Sequence, residues 1–388
     1  MDSSDQMAWW LSFAHTRGMG GVRKMDLLIQ FVYQLKMPLS EALRTVADPD
    51  TDPFRLTEKE REAVGRMILS IPDYEVIVAH MTEKGITLIP VIDPRYPAIL
   101  KKLLKKAAPV VLYVRGDVAR LQHVTTGVEG VRDASPLSLR FTETVVRGAV
   151  TRGDVIVGGF INPVEKKALD MALSLGGRVI VVLAEGINRF AEGSYERFIE
   201  SGQLSLVSVF HPEEERSLRT TMDRNVLFYD FCNHVFVAQS SAIGGSWDGA
   251  VNRLAKHPLY VRVESRGEEN FNNLLIANGG IAVDENGFPG EFDELQPRLM
   301  ALTDNPDLPF HPDTPRTTAE YVGFLRKRLE KMQTISLTDF FREYPLPDRM
   351  RWQLENIFQL SPDIEKIRVG NKAVFTYKGA VPKQGKLF

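Results

Sequence analysis

DVIVGGFINPVEKKALDMALSLGGRVIVVLAEG, residues 154–186, reads as a strand, a helix and a second strand. DVIVGG (154–159) is short, apolar and β-branched, and it ends in two glycines. The helix opens with Pro163 in its first turn, where a missing N–H costs nothing, and stops at Gly176 and Gly177. RVIVVLAEG (178–186) is an unbroken apolar run, the pattern of a strand covered on both faces. Strand, crossover helix and strand in this order make a parallel pair.

The alternation continues outward in both directions. Upstream, a short apolar run from about 124 leads into the glycine-spaced turn GVEGVRDAS (127–135) and the helix LSLRFTETVVRGAVTRG. Downstream come a short helix (193–201), LSLVSVF (204–210), a helix whose first turn is expected to present Arg224 and Asn225, and HVFVAQ (234–239). The loop SSAIGGSWDGA, the strand YVRVE (260–264) and NLLIANGGIAV (273–283) close the series. The fold expected is α/β, a Rossmann-like, doubly wound and mostly parallel sheet with its core over 124–283, inside a domain running 76–283. Residues 1–75 are predicted as a helical module of the SAM or helix-hairpin-helix kind, with RGMGGVRK as a glycine turn beside Arg23 and Lys24. Residues 284–314 are acidic and Pro-rich and read as a linker. Residues 315–388 carry fourteen Lys/Arg against eight Asp/Glu; three helical patterns and a hairpin turning at Gly370 and Asn371 describe a basic winged-helix domain.

Composition narrows the possibilities. The chain has 388 residues, enough for more than one domain, and Lys plus Arg (48) nearly balance Asp plus Glu (50). Any nucleic-acid contact must therefore be a local patch rather than a whole-molecule field. The lone cysteine, Cys232, excludes an internal disulfide and a multi-cysteine zinc site, and fits a reducing compartment as a small buried hydrophobe. The acidic start MDSSDQMAWWLSF is unlike a secretory signal, and no run approaches a membrane span, so the expected location is cytoplasmic. No metal-ligand spacing occurs among the seven histidines, and no Ser-His-Asp order suggests nucleophilic catalysis. No metal, cofactor or catalytic residue is expected.

Ligands of a doubly wound sheet sit outside the carboxyl ends of the strands. Three glycine-bearing loops fall there. In the first, Gly127, Gly130 and Ser135 allow backbone amides to approach a phosphate while Arg132 supplies a permanent charge. In the second, Gly158 and Gly159 precede the Pro163 helix, with Lys166 and Lys167 on it and Glu165 placed to interact with the helix dipole. In the third, Gly244, Gly245 and Ser246 lead into a helix. Arg224 and Asn225 are expected to enter from the DRN turn, and Asn273 from the last segment. Each glycine is equally what a tight turn requires. On ILKKLLKKAAP, Lys101, Lys102, Lys105 and Lys106 would share one helical stripe that could contact a nucleic-acid backbone, although a solvated helix face is the more common explanation of such a pattern.

The order of these motifs resembles the DNA-processing protein A (Smf) family. AWWLSFAHTRGMGGVRK, IDPRYPAILKKL, VVLYVRGD, GVEGVRDAS, AEGIN (184–188), DRN (223–225), GGSWDGA (244–250) and NLLIANGG (273–280) follow the family's sequence of motifs. GVEGVRDAS looks like its Val-Gly-Ser-Arg turn, which makes Arg132 and Ser135 the matching positions. The resemblance implies single-stranded DNA binding, delivery of that DNA to a RecA-type recombinase in natural transformation, a homodimer, and no catalysis. GGFINPVEKKAL (158–169) departs from the family's Ser-Gly-x-Ala-x-Gly-Ile-Asp segment, with Pro163 for Gly, Glu165 for Asp and Leu169 at a His position. The Tyr-Pro after the third strand is absent, and Gln239 stands in place of Glu. A divergent member can serve phage defence or a mobile element with a partner from that operon. Two other readings stay open: a sensor of a nucleotide or nucleotide-derived signal, and an enzyme cleaving a nucleotide, whose glycine loop would need a Glu where Asp248 stands.

Overall fold

The computed structural model describes residues 4–48, 52, 54, 56–191, 193–241, 245–265, 268, 270–292, 295, 298–299, 318–343, 354–355, 358–359, 361–369 and 372–378. It divides into two compact units, Met1–Val128 with Thr142–Val235, and Glu129–Phe141 with Phe236–Phe388.

The first unit begins with short helices: α1 (Ser4–His15), α2 (Gly21–Leu28), α3 (Leu39–Ala47), α4 (Glu58–Leu69) and α5 (Ile71–Glu83). Trp9, Trp10, Leu11 and Phe13 of α1 are buried, and α1 packs against α3 and α5. A reciprocal capping box starts α4: Glu60 N–H donates to Thr57 Oγ1 at 3.3 Å, and Thr57 N–H donates to Glu60 Oε2 at 2.9 Å.

After β1 (Ile86–Pro90), α6 (Ala98–Leu104) and β2 (Val111–Arg115) comes the alternating series. It comprises β3 (Thr125–Glu129), α7 (Pro136–Arg152), β4 (Val155–Gly158), α8 (Pro163–Ser174), β5 (Arg178–Val182), α9 (Glu196–Glu200), β6 (Leu204–Ser208) and α10 (Leu218–Phe231). Strand order in this unit is β1-β2-β6-β5-β4-β3. β3, β4, β5 and β6 pair in parallel, with Gly127 opposite Val157 and Val157 opposite Ile180; β2 and β1 extend the sheet antiparallel. The reading of 154–186 is borne out as β4, α8 and β5, and Val179, Ile180 and Val181 are fully buried because helices cover both faces.

Two glycines in this sheet admit neighbours. A Cβ on Gly127 would lie 2.7 Å from both Cys232 Sγ and Phe228 Cζ, so its bareness lets α10 close on β3. Gly176, with φ +71°, turns the chain off the end of α8, as its position predicts.

The second unit carries β7 (His234–Val237, its first residues belonging to the first unit), α11 (Gly245–Leu254), β8 (Tyr260–Arg262), α12 (Asn272–Ala277) and β9 (Ile281–Val283). These strands are parallel in the order β7-β8-β9. Further on, α13 (Thr318–Met332), α14 (Leu337–Glu343) and the antiparallel hairpin β10 (Ile364–Val369) and β11 (Lys372–Tyr377) enclose a core of Leu325, Leu329, Phe340, Leu354, Phe358 and Phe375. Ile335 bridges to Phe375 as a short third strand position. The third helix expected near 347–360 falls largely outside the described residues, as do the hairpin turn at Gly370 and Asn371 and most of the expected linker. Among the described residues no helix is long and apolar enough to cross a membrane.

Candidate functional site

In the first unit the site residues gather at the carboxyl ends of β4 and β5. α8 starts there because Asn162 caps it: Glu165 N–H donates to Asn162 Oδ1 at 2.9 Å, and Asn162 Nδ2 donates to Glu165 Oε1 at 3.1 Å. With Pro163 lacking an N–H and the cap filled by Asn162, this helix start is closed by its own side chains and is not the open anion seat its sequence suggests. Lys166 pairs with Asp170, and Lys167 with Glu143 at 2.5 Å, both on the surface.

Arg224 is the main correction. It lies in the middle of α10, not in a first turn, because Ser217 and Thr220 form a capping box that starts the helix earlier. Its side chain is fully buried, and all five N–H donors are committed. Nε donates to the Val182 carbonyl (2.8 Å). Nη1 donates to Glu165 Oε1 (2.9 Å) and Asn225 Oδ1 (3.3 Å). Nη2 donates to the Gly158 carbonyl (2.9 Å) and Glu165 Oε2 (2.5 Å). Glu165 is equally buried, so its role is that of counter-ion rather than a surface charge on the helix dipole. A Cβ on Gly159 would lie 2.1 Å from Arg224 Nη2 and 2.5 Å from Glu165 Oε2, which explains the second glycine of GG: the ion pair occupies the space beside it. A phosphate could reach Arg224 only by displacing Glu165.

In the second unit, the turn after β3 and the start of α7 are held by polar contacts. Ser138 N–H donates to Ser135 Oγ at 3.2 Å, so Ser135 caps α7. Gln239 Oε1 accepts from Ser135 N–H and from Ser138 Oγ, each at 2.8 Å. Glu129, buried at the end of β3, accepts from Gly130 N–H (3.1 Å) and from Ser246 Oγ at the start of α11 (2.9 Å). Gly130 and Ser246 are therefore brought together, through a carboxylate that the sequence did not single out. Gly245 opens α11, and Gly244 lies outside the described residues. Asn273 is buried against Glu264, whose Oε1 accepts from Asn273 N–H at 2.9 Å. Arg132 stands in the turn between β3 and α7; it is exposed, and no ion pair to it occurs among the described residues.

The lysine stripe does not form. α6 ends at Leu104, and Lys105 takes φ +50° to lead into a short 3-10 turn ahead of Pro109, so the four lysines do not follow one helical repeat. Lys101 sits over the Tyr96 ring and Lys106 pairs with Asp26 at 2.6 Å, leaving Lys102 and Lys105 exposed. At the N-terminal glycine turn, Lys24 is buried and donates to the Ala14 carbonyl (2.7 Å), with burial lowering its pKa to about 8; Arg23 pairs with Glu60. In the turn itself Met19 is buried while Gly18, Gly20 and Gly21 are exposed.

Residues 87–278, about half of the chain, match the family model described as DNA recombination-mediator protein A. The chain belongs to this family. It is 28% identical to DNA processing protein DprA of Streptococcus pneumoniae over 159 residues, which is 40% of this chain and 55% of that protein, so the match spans little more than half of the relative's length. The solved structure of DNA processing protein A from S. pneumoniae superposes with a TM-score of 0.57 at 20% identity, covering 73% of this chain and 95% of that one. The Rossmann-like fold is shared. A structure of DNA processing protein A from Helicobacter pylori, whose subject is a single-stranded DNA binding mode, matches at 21% identity and TM-score 0.43 over 56% of this chain and 95% of that one.

GGFINPVEKKAL (158–169) forms a strand-to-helix turn and places in it an Asn-capped helix with a carboxylate aimed at Arg224. The N-cap Asn162 followed three residues later by Glu165 was a readable signal for that helix start; the pairing of Glu165 with a residue 59 positions away was not.

Proposed function

We propose that this chain binds single-stranded DNA and delivers it to a RecA-type recombinase or to a partner of phage defence, without catalysing a reaction. The observation that carries the reading is Arg132, an exposed guanidinium at the carboxyl end of a parallel strand, within the segment that matches a recombination-mediator family. A phosphate there meets a fork of charged donors beside the small residues Gly130 and Ser135. Glu129, Gln239 and Ser246 would position that turn, and the C-terminal helices with their hairpin would act as a winged helix that adds a basic contact. The chain would work as a homodimer, in the cytoplasm.

Anisotropy of a labelled dT oligonucleotide at low salt tests this, with a neutral polymer as the control ligand. Tight binding that weakens steeply with added salt is expected. Binding to dT no better than to the neutral polymer sinks the reading, and a thermal shift produced by a mononucleotide but not by DNA would turn it toward a nucleotide sensor.

A further inference from the structure

We propose that Phe160, Phe190, Tyr195 and Phe198 form a platform on which the bases of a single-stranded nucleic acid stack. This rests on the single-strand reading above and names the part of the surface that would hold bases rather than phosphates.

All four rings follow the carboxyl ends of β4 and β5 within the first unit. Phe160 comes just after Gly158, Phe190 is in the loop after β5, and Tyr195 and Phe198 are at α9. They form one contiguous array. Phe160 stacks on Phe190 with centroids 5.4 Å apart and planes at 15°. Tyr195 lies 5.0 Å from Phe160 on a tilt of 54°, and Phe198 continues the row 6.5 Å beyond Tyr195. Arg197 places its guanidinium 4.6 Å from the centre of the Phe198 ring. The Tyr195 hydroxyl is 2.9 Å from Asp170 Oδ1 and 3.3 Å from Lys166 Nζ, which fixes that ring in orientation.

Phe228 and Phe231 of the same unit are buried, at 0% and 1% exposure. These four are all half-buried. Half-open aromatic surface costs hydration free energy, and its concentration in one array at the ligand end of a parallel sheet marks an interaction site. Three cations surround it: Lys166, Arg189 and Arg197 are exposed. Lys166 pairs with Asp170, and Arg189 with Glu213 at 3.4 Å, surface pairs that exchange readily for a phosphate. Flat rings interleaved with exposed cations suit a strand with unstacked bases: every base has a π-face, and the backbone passes close by. A duplex hides those faces, and a docking helix would ask for an aliphatic groove. None of the four rings belongs to the phosphate-holding residues, so the platform supplies contacts independent of Arg132.

The test compares a labelled dT oligonucleotide of about 20 residues, longer than a site of about 4–16 nucleotides, with an abasic strand of the same length. Wild type should bind dT more tightly. The Phe190→Leu and Phe198→Leu double variant, which keeps the apolar volume, should lose roughly 5- to 150-fold of dT affinity per base unstacked while binding the abasic strand as wild type does. Equal wild-type affinity for dT and abasic strands overturns the platform, and needs no variant. So does a variant that keeps full dT affinity. Wild type binding neither strand defeats the single-strand reading itself, which is a different failure.

Discussion

The Arg224–Glu165 pair gives a sharp prediction because it opposes two roles for one arginine. Arg224→Met removes five hydrogen bonds, to Glu165, Asn225, Gly158 and Val182, and leaves a carboxylate that is fully buried. Breaking one side of a buried ion pair costs about 3–5 kcal/mol, because the surviving charge has lost its partner and cannot reach water. For a unit of this size about 2–4 °C follows each kcal/mol, so the melting temperature should fall by roughly 6–20 °C. Glu165→Leu should cost a similar amount. The Arg224→Met and Glu165→Leu double variant, with both charges gone and apolar volume restored, should be more stable than either single variant. Urea unfolding of the four proteins at neutral pH reads all three values, and DNA affinity is measured on each while it is folded. A loss below about 1 kcal/mol for Arg224→Met would refute the buried-pair role, and a loss of DNA affinity at unchanged stability would instead put the guanidinium within reach of the ligand.

Three further outcomes follow from the same geometry. Arg132→Ala should leave stability within about 0.5 kcal/mol of wild type, because the side chain is exposed, while weakening DNA and making the log–log salt slope shallower by about 0.7 for the phosphate it no longer neutralises. Gly159→Ala should destabilise by about 1–3 kcal/mol in thermal unfolding, since the added methyl would meet the Arg224–Glu165 pair at 2.1 and 2.5 Å and both side chains are held by other bonds. Burial, then the nearby His211 and Lys24, lowers the pKa of His15 to about 3, and its Nε2 lies 2.6 Å from the Tyr113 hydroxyl. The unfolded chain binds that proton near pH 6.5 and the folded one does not, so stability should fall as pH drops from 6.5 toward 5, by up to about 1.4 kcal/mol per pH unit per such histidine. His211 is shifted in the same direction by burial and adds to the slope. His15→Gln should flatten the slope by His15's share, and an unchanged slope would contradict the assignment.

Local patterns carried most of the fold into the sequence. The β5 run VIVV is buried throughout, Pro163 opens α8, and Gly176 takes the positive φ that closes it. The site was less legible, for reasons particular to each residue. Arg224 and Glu165 meet across 59 residues, and no local spacing records a pairing made by the sheet. The start of α10 was written in Ser217 and Thr220, and reading it at Asp223 moved Arg224 from mid-helix to an open first turn. Gly127 and Gly159 looked like phosphate-loop glycines; one admits Phe228 and Cys232, the other an ion pair, and both demands produce the same letter in a sequence. The lysine spacing at 101–106 matched a helix that breaks at Lys105, where the approach to Pro109 ends the repeat. Glu129 carries no local signal because an acidic residue is unexpected beside a phosphate turn, yet it is buried and accepts from Ser246 Oγ at the start of α11.

The most direct test of the proposed function is competition between strands. A labelled dT oligonucleotide bound to the wild-type protein is challenged with unlabelled dT and with a duplex of equal length, at several salt concentrations. If the chain binds single strands as proposed, single strand should displace the probe at much lower concentration than duplex, and the affinity for single strand should fall linearly on a log–log plot against salt. Equal displacement by duplex and single strand, or a single-strand affinity indifferent to salt, would contradict that proposal.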